Sequence, residues 1–153
     1  MKRVLFLLFT FSFLYNGVVF SQEGSSQGTY PPWAVLNAAY AGDTELLRLI
    51  LETNPDKDVR DSMGATALHV AVFQNNLEVL RLLLDYGFDI NAQVPSNGYT
   101  PLHYCVWINN LNAARLLLAY HADRNIRDRD GLTPMEKATK EAKREMIIIF
   151  MRN

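Results

Sequence analysis

Thr100-Pro101-Leu102-His103, running into Tyr104-Cys105-Val106 and then to Ala114-Arg115-Leu116-Leu117-Leu118, is the stretch that decides the architecture. One period earlier the chain reads Thr66-Ala67-Leu68-His69-Val70-Ala71-Val72, followed by Leu80-Arg81-Leu82-Leu83-Leu84. Thr133-Pro134-Met135-Glu136 opens a third copy. The three threonines stand at intervals of 34 and 33 residues. Self-similarity at a period in this range marks a stacked array of small units.

Each unit has its own local logic. Thr66, Thr100 and Thr133 suit a helix N-cap, where the hydroxyl accepts from an early backbone N–H. Pro101 and Pro134 follow at the first helical position, where a missing N–H costs nothing. Thr133 and Glu136 have capping-box spacing. Leu68, Ala71 and Val72 recur at helical spacing, as do Leu102, Cys105 and Val106. A second helix follows, carrying Val79, Leu80, Leu82 and Leu83 in one copy and Ala113, Ala114, Leu116 and Leu117 in the next. Gly87 is a good left-handed terminator. His121 takes its place in the next copy at some strain, and Asn54-Pro55 in the first. Asp89-Ile90-Asn91 and Asp123-Arg124-Asn125 lead into turns closed by Gly64, Gly98 or Gly131. The turn before Gly98 is one residue longer, so Pro95-Ser96-Asn97 is expected to project.

Asp61-Ser62-Met63-Gly64-Ala65-Thr66-Ala67-Leu68-His69 through Gly87-Phe88-Asp89-Ile90-Asn91 resembles an ankyrin repeat along its whole length. Gly98 through Asn125 resembles a second. Asp128 to Met135 opens another, which departs at Glu136, where the family has His. In front of them, Ala38, Gly42, Leu46, Leu49-Ile50, Asp56 and Asp58 fall 33 residues before Ala71, Asn75, Val79, Leu82-Leu83, Asp89 and Asn91, a degenerate first copy. The resemblance implies an all-α ankyrin-repeat solenoid of about four stacked helix-turn-helix units linked by β-hairpin-like turns. It covers residues 31–153, with units at about 31–60, 61–94, 95–127 and 128–153. Such units cannot bury their apolar faces alone, and about three are needed for stability.

The amino-terminal segment is of another kind. Lys2-Arg3 precede an apolar run, Val4 to Tyr15, that resumes at Val18-Val19-Phe20. This is the pattern of a secretory signal peptide, with cleavage expected after Ser21. The run is about 17 residues, short of the roughly 20 that span a bilayer. The alternative is a retained segment, residues 1–20, anchoring a structural or scaffold protein of the cell envelope. Residues 22–30 read as a flexible lead. The expected location is therefore exported, periplasmic or secreted.

The 49% apolar and 20% charged composition is that of a folded chain. A net charge of -1 argues against a nucleic-acid binder. Loss of Lys2 and Arg3 leaves 13 basic against 16 acidic residues, which gives no reason to seek an anionic membrane surface. The single cysteine, Cys105, stands where earlier copies have Ala71 and Ala38, and so reads as a small packing residue.

His69 and His103, on successive first helices, are the tempting catalytic or metal pair. The resemblance implies a structural role instead, each His bonding the Thr of its own unit and the neighbouring turn; Thr66, His69, Thr100, His103 and Thr133 are the expected scaffold. A metal would want further N, S or carboxylate ligands. Asp128-Arg129-Asp130-Gly131 lacks the later ligands of a calcium loop. With no phosphate loop, dinucleotide fingerprint or hydrolase motif in the chain, no cofactor, small-molecule substrate or enzymatic activity is expected.

Ankyrin-like arrays bind proteins through their turn tips and the exposed side of each first helix. Tyr40, Phe73 and Trp107 stand two residues after Ala38, Ala71 and Cys105, so stacking is expected to align them into a stripe. Ile108 lies beside them, and Met63, Tyr99 and Leu132 project from the turns. Lys140 ends the stripe. Lys137, Lys140, Glu141, Lys143, Arg144 and Glu145 read as a solvated stretch before the apolar run Met146 to Met151. The expected function is a non-catalytic protein–protein interaction module with an aromatic binding face.

Overall fold

The computed structural model describes residues 30–152. The expected signal segment 1–21, and the expected lead up to residue 29, lie outside the described residues. Within them are eight α-helices: α1 Ala34–Ala41, α2 Thr44–Glu52, α3 Ala67–Phe73, α4 Leu77–Asp85, α5 Pro101–Ile108, α6 Leu111–Ala119, α7 Pro134–Lys140 and α8 Arg144–Arg152.

Each helix has only 7 to 9 residues, too short to persist alone in water. They persist because they pack in two layers. Each pair, α1–α2 through α7–α8, forms an antiparallel unit. The first helices α1, α3, α5 and α7 lie side by side, as do the second helices α2, α4, α6 and α8. Ala38, Ala71, Cys105 and Ala138 occupy one position of the repeat, all buried, where a small side chain lets neighbouring helices approach. Ile50, Leu83, Leu117 and Phe150 occupy another and fill the space between second helices. The chain is thus an all-α repeat solenoid.

Helix starts follow the residue types. Thr66, Thr100 and Thr133 cap α3, α5 and α7, each in a capping box closed by His69, His103 or Glu136. The histidines therefore do the work that Glu136 does in the last unit. Asp43, Asn76 and Asn110 cap the second helices.

Every left-handed residue among the described ones falls at one of three repeat positions. Gly42, Asn75, Asn109 and Ala142 turn the chain between the two helices of a unit; Asn54, Gly87 and His121 end the second helix; Gly64, Gly98 and Gly131 close the hairpins. Ala142, at φ 54°, has neither glycine's freedom nor asparagine's tolerance of this region. Ala142→Gly is expected to raise the unfolding free energy by about 0.5 to 1 kcal/mol in urea titrations, the relief exceeding the entropy that glycine adds to the unfolded chain.

The hairpins are joined by a ladder that spacing alone does not reveal. Arg60, Gln93 and Arg127 are equivalent positions. Arg60 Nη1 donates to the carbonyls of Gly64 (3.1 Å) and Gln93 (2.9 Å). Gln93 Nε2 then donates to the carbonyls of Gly98 (2.8 Å) and Arg127 (3.0 Å). Each rung ties a hairpin to itself and to the next. The Pro95-Ser96-Asn97 turn is exposed at Pro95 and Ser96, but it does not stand free: the Asn97 carbonyl accepts from the Arg129 N–H at 2.9 Å.

The carboxyl-terminal charges correct the expected solvated stretch. Lys137 is buried, with Nζ 3.2 Å from Asp128 Oδ2 and 4.6 Å above the Tyr99 ring. Lys143 is equivalent to Asn76 and Asn110. Asn110 Nδ2 donates to the Val72 carbonyl at the end of α3; Lys143 Nζ reaches the Val106 and Trp107 carbonyls at the end of α5. A cation suits the carbonyls at a helix C-terminus. Of the last apolar run, Met146, Ile149 and Phe150 are buried against the third unit, while Ile148 and Met151 are exposed.

Candidate protein-binding groove

The scaffold histidines place the groove. The Thr66 hydroxyl lies 2.9 Å from His69 Nδ1, which also accepts from the Thr66 N–H at 3.2 Å. That leaves Nε2 protonated, donating to the Tyr99 carbonyl in the next hairpin at 3.1 Å. His103 repeats this with Thr100 and with the Leu132 carbonyl, also at 3.1 Å. Both rings are fully buried. Burial pushes the His69 pKa down from 6.5 to about 4, against the opposing effect of the Tyr99 carbonyl. His103 is lowered for the same reason. Neutral imidazoles tied at both nitrogens have no free lone pair for a metal or a proton transfer. Among the described residues no three His, Cys, Asp or Glu side chains gather as a metal site.

The Tyr99 carbonyl that His69 holds fixes the hairpin whose Tyr99 ring forms one wall of a groove. This groove has a cavity of about 460 Å³ and runs across the first three units. Phe73 and Trp107, from the ends of α3 and α5, stand on its rim. They are 53% and 52% exposed, and their rings stack at 6.2 Å between centroids and 26° between planes. Tyr40 and Met63, also exposed, complete the near side. Tyr40, Phe73, Trp107, Met63 and Tyr99 are thus brought together. Ile108 is not: it lines a separate hollow with Phe73, Asn109 and Arg115. Leu132 is half-buried away from the groove and contributes its carbonyl to His103.

Asp61 is the charged side chain of the groove wall. Its Oδ1 accepts from the N–H groups of Met63 and Ala65, both at 2.9 Å, which shapes the hairpin tip. Its Oδ2 accepts from the Tyr40 hydroxyl at 2.6 Å. Burial alone would raise this carboxyl, but the Tyr40 and backbone donors outweigh it and hold it below the usual range. Tyr40 is in turn pushed up to about 12, by burial and by its bond to Asp61. At pH 7 the pair is a carboxylate and a neutral phenol.

The family then follows from sequence as well as geometry. The model of the family described as "Ankyrin repeats (many copies)" matches residues 35–84 and 68–118, more than half of the chain. The chain belongs to the ankyrin-repeat family. The array is 41% identical over 54 residues to a putative ankyrin repeat-containing protein of Treponema pallidum (strain Nichols), covering 35% of this chain and 18% of that protein. It is 43% identical over 61 residues to ankyrin repeat domain-containing protein 29 of Danio rerio, covering 39% and 20%. The matched part is thus about a fifth of either relative's length. Ankyrin repeats are protein–protein interaction modules, and this array shares that class.

Tyr104 and Asp61 are groove residues that the sequence pattern did not single out. Tyr104 lies in the middle of α5, buried between the Tyr99 ring (6.1 Å), the His69 ring (4.9 Å) and the Trp107 ring (5.5 Å), edge-on to each. Edge-to-face packing of this kind rigidifies an aromatic wall. A signal was present. The equivalents of Tyr104 are Val70 and Lys137, a position whose residue type varies along the array, and Tyr104 precedes Trp107 by three residues on the same helix face.

Proposed function

We propose that this ankyrin array is an exported, non-catalytic module that captures a protein partner in the groove between Tyr40, Phe73, Tyr99 and Trp107. The carrying observation is the half-exposed Phe73–Trp107 stack. The core is already filled by Leu68, Ala71, Val72 and their equivalents, so these rings are surplus to packing. Exposed aromatics clustered beside a concavity are typical of interface hot spots, and a contiguous apolar patch on a monomer is usually a binding surface.

The test is capture of partners from the native envelope or secreted fraction by the wild type and by Phe73→Ala/Trp107→Ala. Each truncation is expected to cost about 2 kcal/mol of binding, so the double variant should lose partner capture altogether. Its melting temperature should move by only a few degrees, since half-exposed rings add little to stability. Unfolding of the double variant, or undiminished capture, would count against the groove.

Export rests on Lys2-Arg3 and the apolar run behind them. Mass spectrometry of the native amino terminus should find Gln22 first. A retained Met1 would favour the anchored scaffold instead. Among the described residues no helix is long and apolar enough to cross a membrane.

A further inference from the structure

Asp61 and Asp128 occupy the same position two units apart, 67 residues from each other in sequence. Their Oδ1 atoms do the same work: Asp128 Oδ1 accepts from the N–H groups of Asp130 and Leu132, as Asp61 Oδ1 does from Met63 and Ala65. Their Oδ2 atoms differ. Asp128 Oδ2 holds the Lys137 ammonium at 3.2 Å, and that ammonium stands 4.6 Å above the Tyr99 ring. A carboxylate and an aromatic face thus share one cation inside the last unit.

Lys137 follows Asp128 by nine residues; nine residues after Asp61 comes Val70. Val70 supplies no cation, and it lines the groove together with Asp61. At Asp61 the Tyr40 hydroxyl takes the place on Oδ2 that the ammonium holds on Asp128, and the open space lies beside that bond. Around it stand Tyr40, Phe73, Tyr99, Tyr104 and Trp107, and no Lys or Arg lines it. An aromatic enclosure with a single carboxylate has a negative potential that a cation relieves.

From this complementarity we infer that the groove takes a Lys or Arg side chain from an extended segment of the partner. Its N–H points at Asp61 Oδ2 and its aliphatic stem lies along the aromatic wall. The inference rests on the groove being the partner surface. Oδ1 is taken by two amides, while Oδ2, which accepts from the Tyr40 hydroxyl, is a carboxylate oxygen with a second lone pair. One N–H donor suits it, and a bidentate fork is not needed. A cavity of about 460 Å³ exceeds one side chain, so flanking apolar residues of the segment cover Phe73 and Trp107.

The probe is a displayed library of random dodecapeptides, panned on the purified chain. Enriched peptides are measured by titration against the wild type, Asp61→Asn and Phe73→Ala/Trp107→Ala. Asp61→Asn keeps an Oδ1 acceptor for the hairpin tip. Enriched peptides are expected to carry Lys or Arg. Replacing that residue by norleucine, or Asp61 by Asn, should weaken binding about tenfold or more, and added salt should weaken it further. The norleucine arm uses unmodified protein, so it stands even where Asp61→Asn unfolds. Peptides that need Phe73 and Trp107 yet carry no basic residue, or tolerate norleucine, overturn the cation while leaving the groove intact. Peptides indifferent to Phe73 and Trp107, or a library that yields no binder, count against both.

Discussion

Leu83→Ala is expected to lower the unfolding free energy by about 3 to 5 kcal/mol in urea denaturation. Leu83 is fully buried in α4, and α4 is flanked on both sides, by α2 and by α6. Trimming it removes transfer free energy and leaves a cavity that neighbours on two sides must fail to fill. The form of the transition should change as well. In a stacked array each unit touches only its neighbours, so stability is close to a sum of unit and interface contributions. Weakening the second unit uncouples the first from the last two. A single transition should then broaden or split, with a lower m-value. Ile50→Ala, at the equivalent position of the first unit, should cost less and leave the transition sharp, because only one interface is affected. A Leu83→Ala protein as stable and as cooperative as the wild type would contradict the packing described.

Acid should loosen the array through its buried imidazoles before Asp61 and Asp128 take up protons. His69 has its pKa depressed from 6.5 to about 4 in the fold. Between those values the unfolded chain binds a proton that the folded chain refuses, so stability rises with pH in that window. The contribution is fully present above pH 6.5 and lost as pH falls toward 4. From pH 7 to 4.5 the loss through His69 should be about 2 to 3 kcal/mol, at 1.36 kcal/mol per pH unit. His103, lowered by the same burial, adds to it. Asp61 and Asp128 are held below their ordinary value of 3.8, so their contribution is lost only at lower pH. Urea titrations at pH 7, 5.5 and 4.5 separate the two windows. A flat unfolding free energy across that range would mean that the imidazoles accept protons without breaking their bonds to the Tyr99 and Leu132 carbonyls.

The repeat was legible in the sequence because its constraints are local. Thr at a cap, Pro behind it, Gly at a left-handed closure and Ala or Cys between helices each have one physical reason, and each recurs on the same period. Even the exceptions could be read. His121, at φ 62°, sits where Gly87 does. What could not be read were contacts that exchange one chemistry for another at a fixed position. Lys137 looked solvated beside Lys140 and Glu141, because its pairing with Asp128 and Tyr99 spans two hairpins. Lys143 looked the same, because nothing in its residue type says it replaces Asn110 as a donor to the preceding helix.

The site was half legible for a related reason. Tyr40, Phe73 and Trp107 declared themselves by position, since one face of each first helix must be left outside the stack. The depth of the groove depends on residues that a helical pattern assigns to the interior. Tyr104 is buried in the core yet also lines the groove, a double role that periodicity does not encode. Ile108 adjoins the stripe in sequence, and Leu132 stands in a turn at the position of Tyr99. Ile108 lines the adjoining hollow, and Leu132, one unit beyond Tyr99, lies past the three units that line the groove.

The Phe73–Trp107 stack joins two units that are otherwise connected through their buried faces and hairpins. Its 6.2 Å separation is therefore set by the angle at which one unit leans on the next. A few degrees of change in that lean would part the rings or slide them into closer overlap. The half-exposed indole of Trp107 sits at that joint, so its emission is expected to shift where the lean changes its exposure. The other tryptophan, Trp33, sits on the first unit, away from that joint. Flexing of the whole molecule, and its arrest, can be followed by light without adding a label.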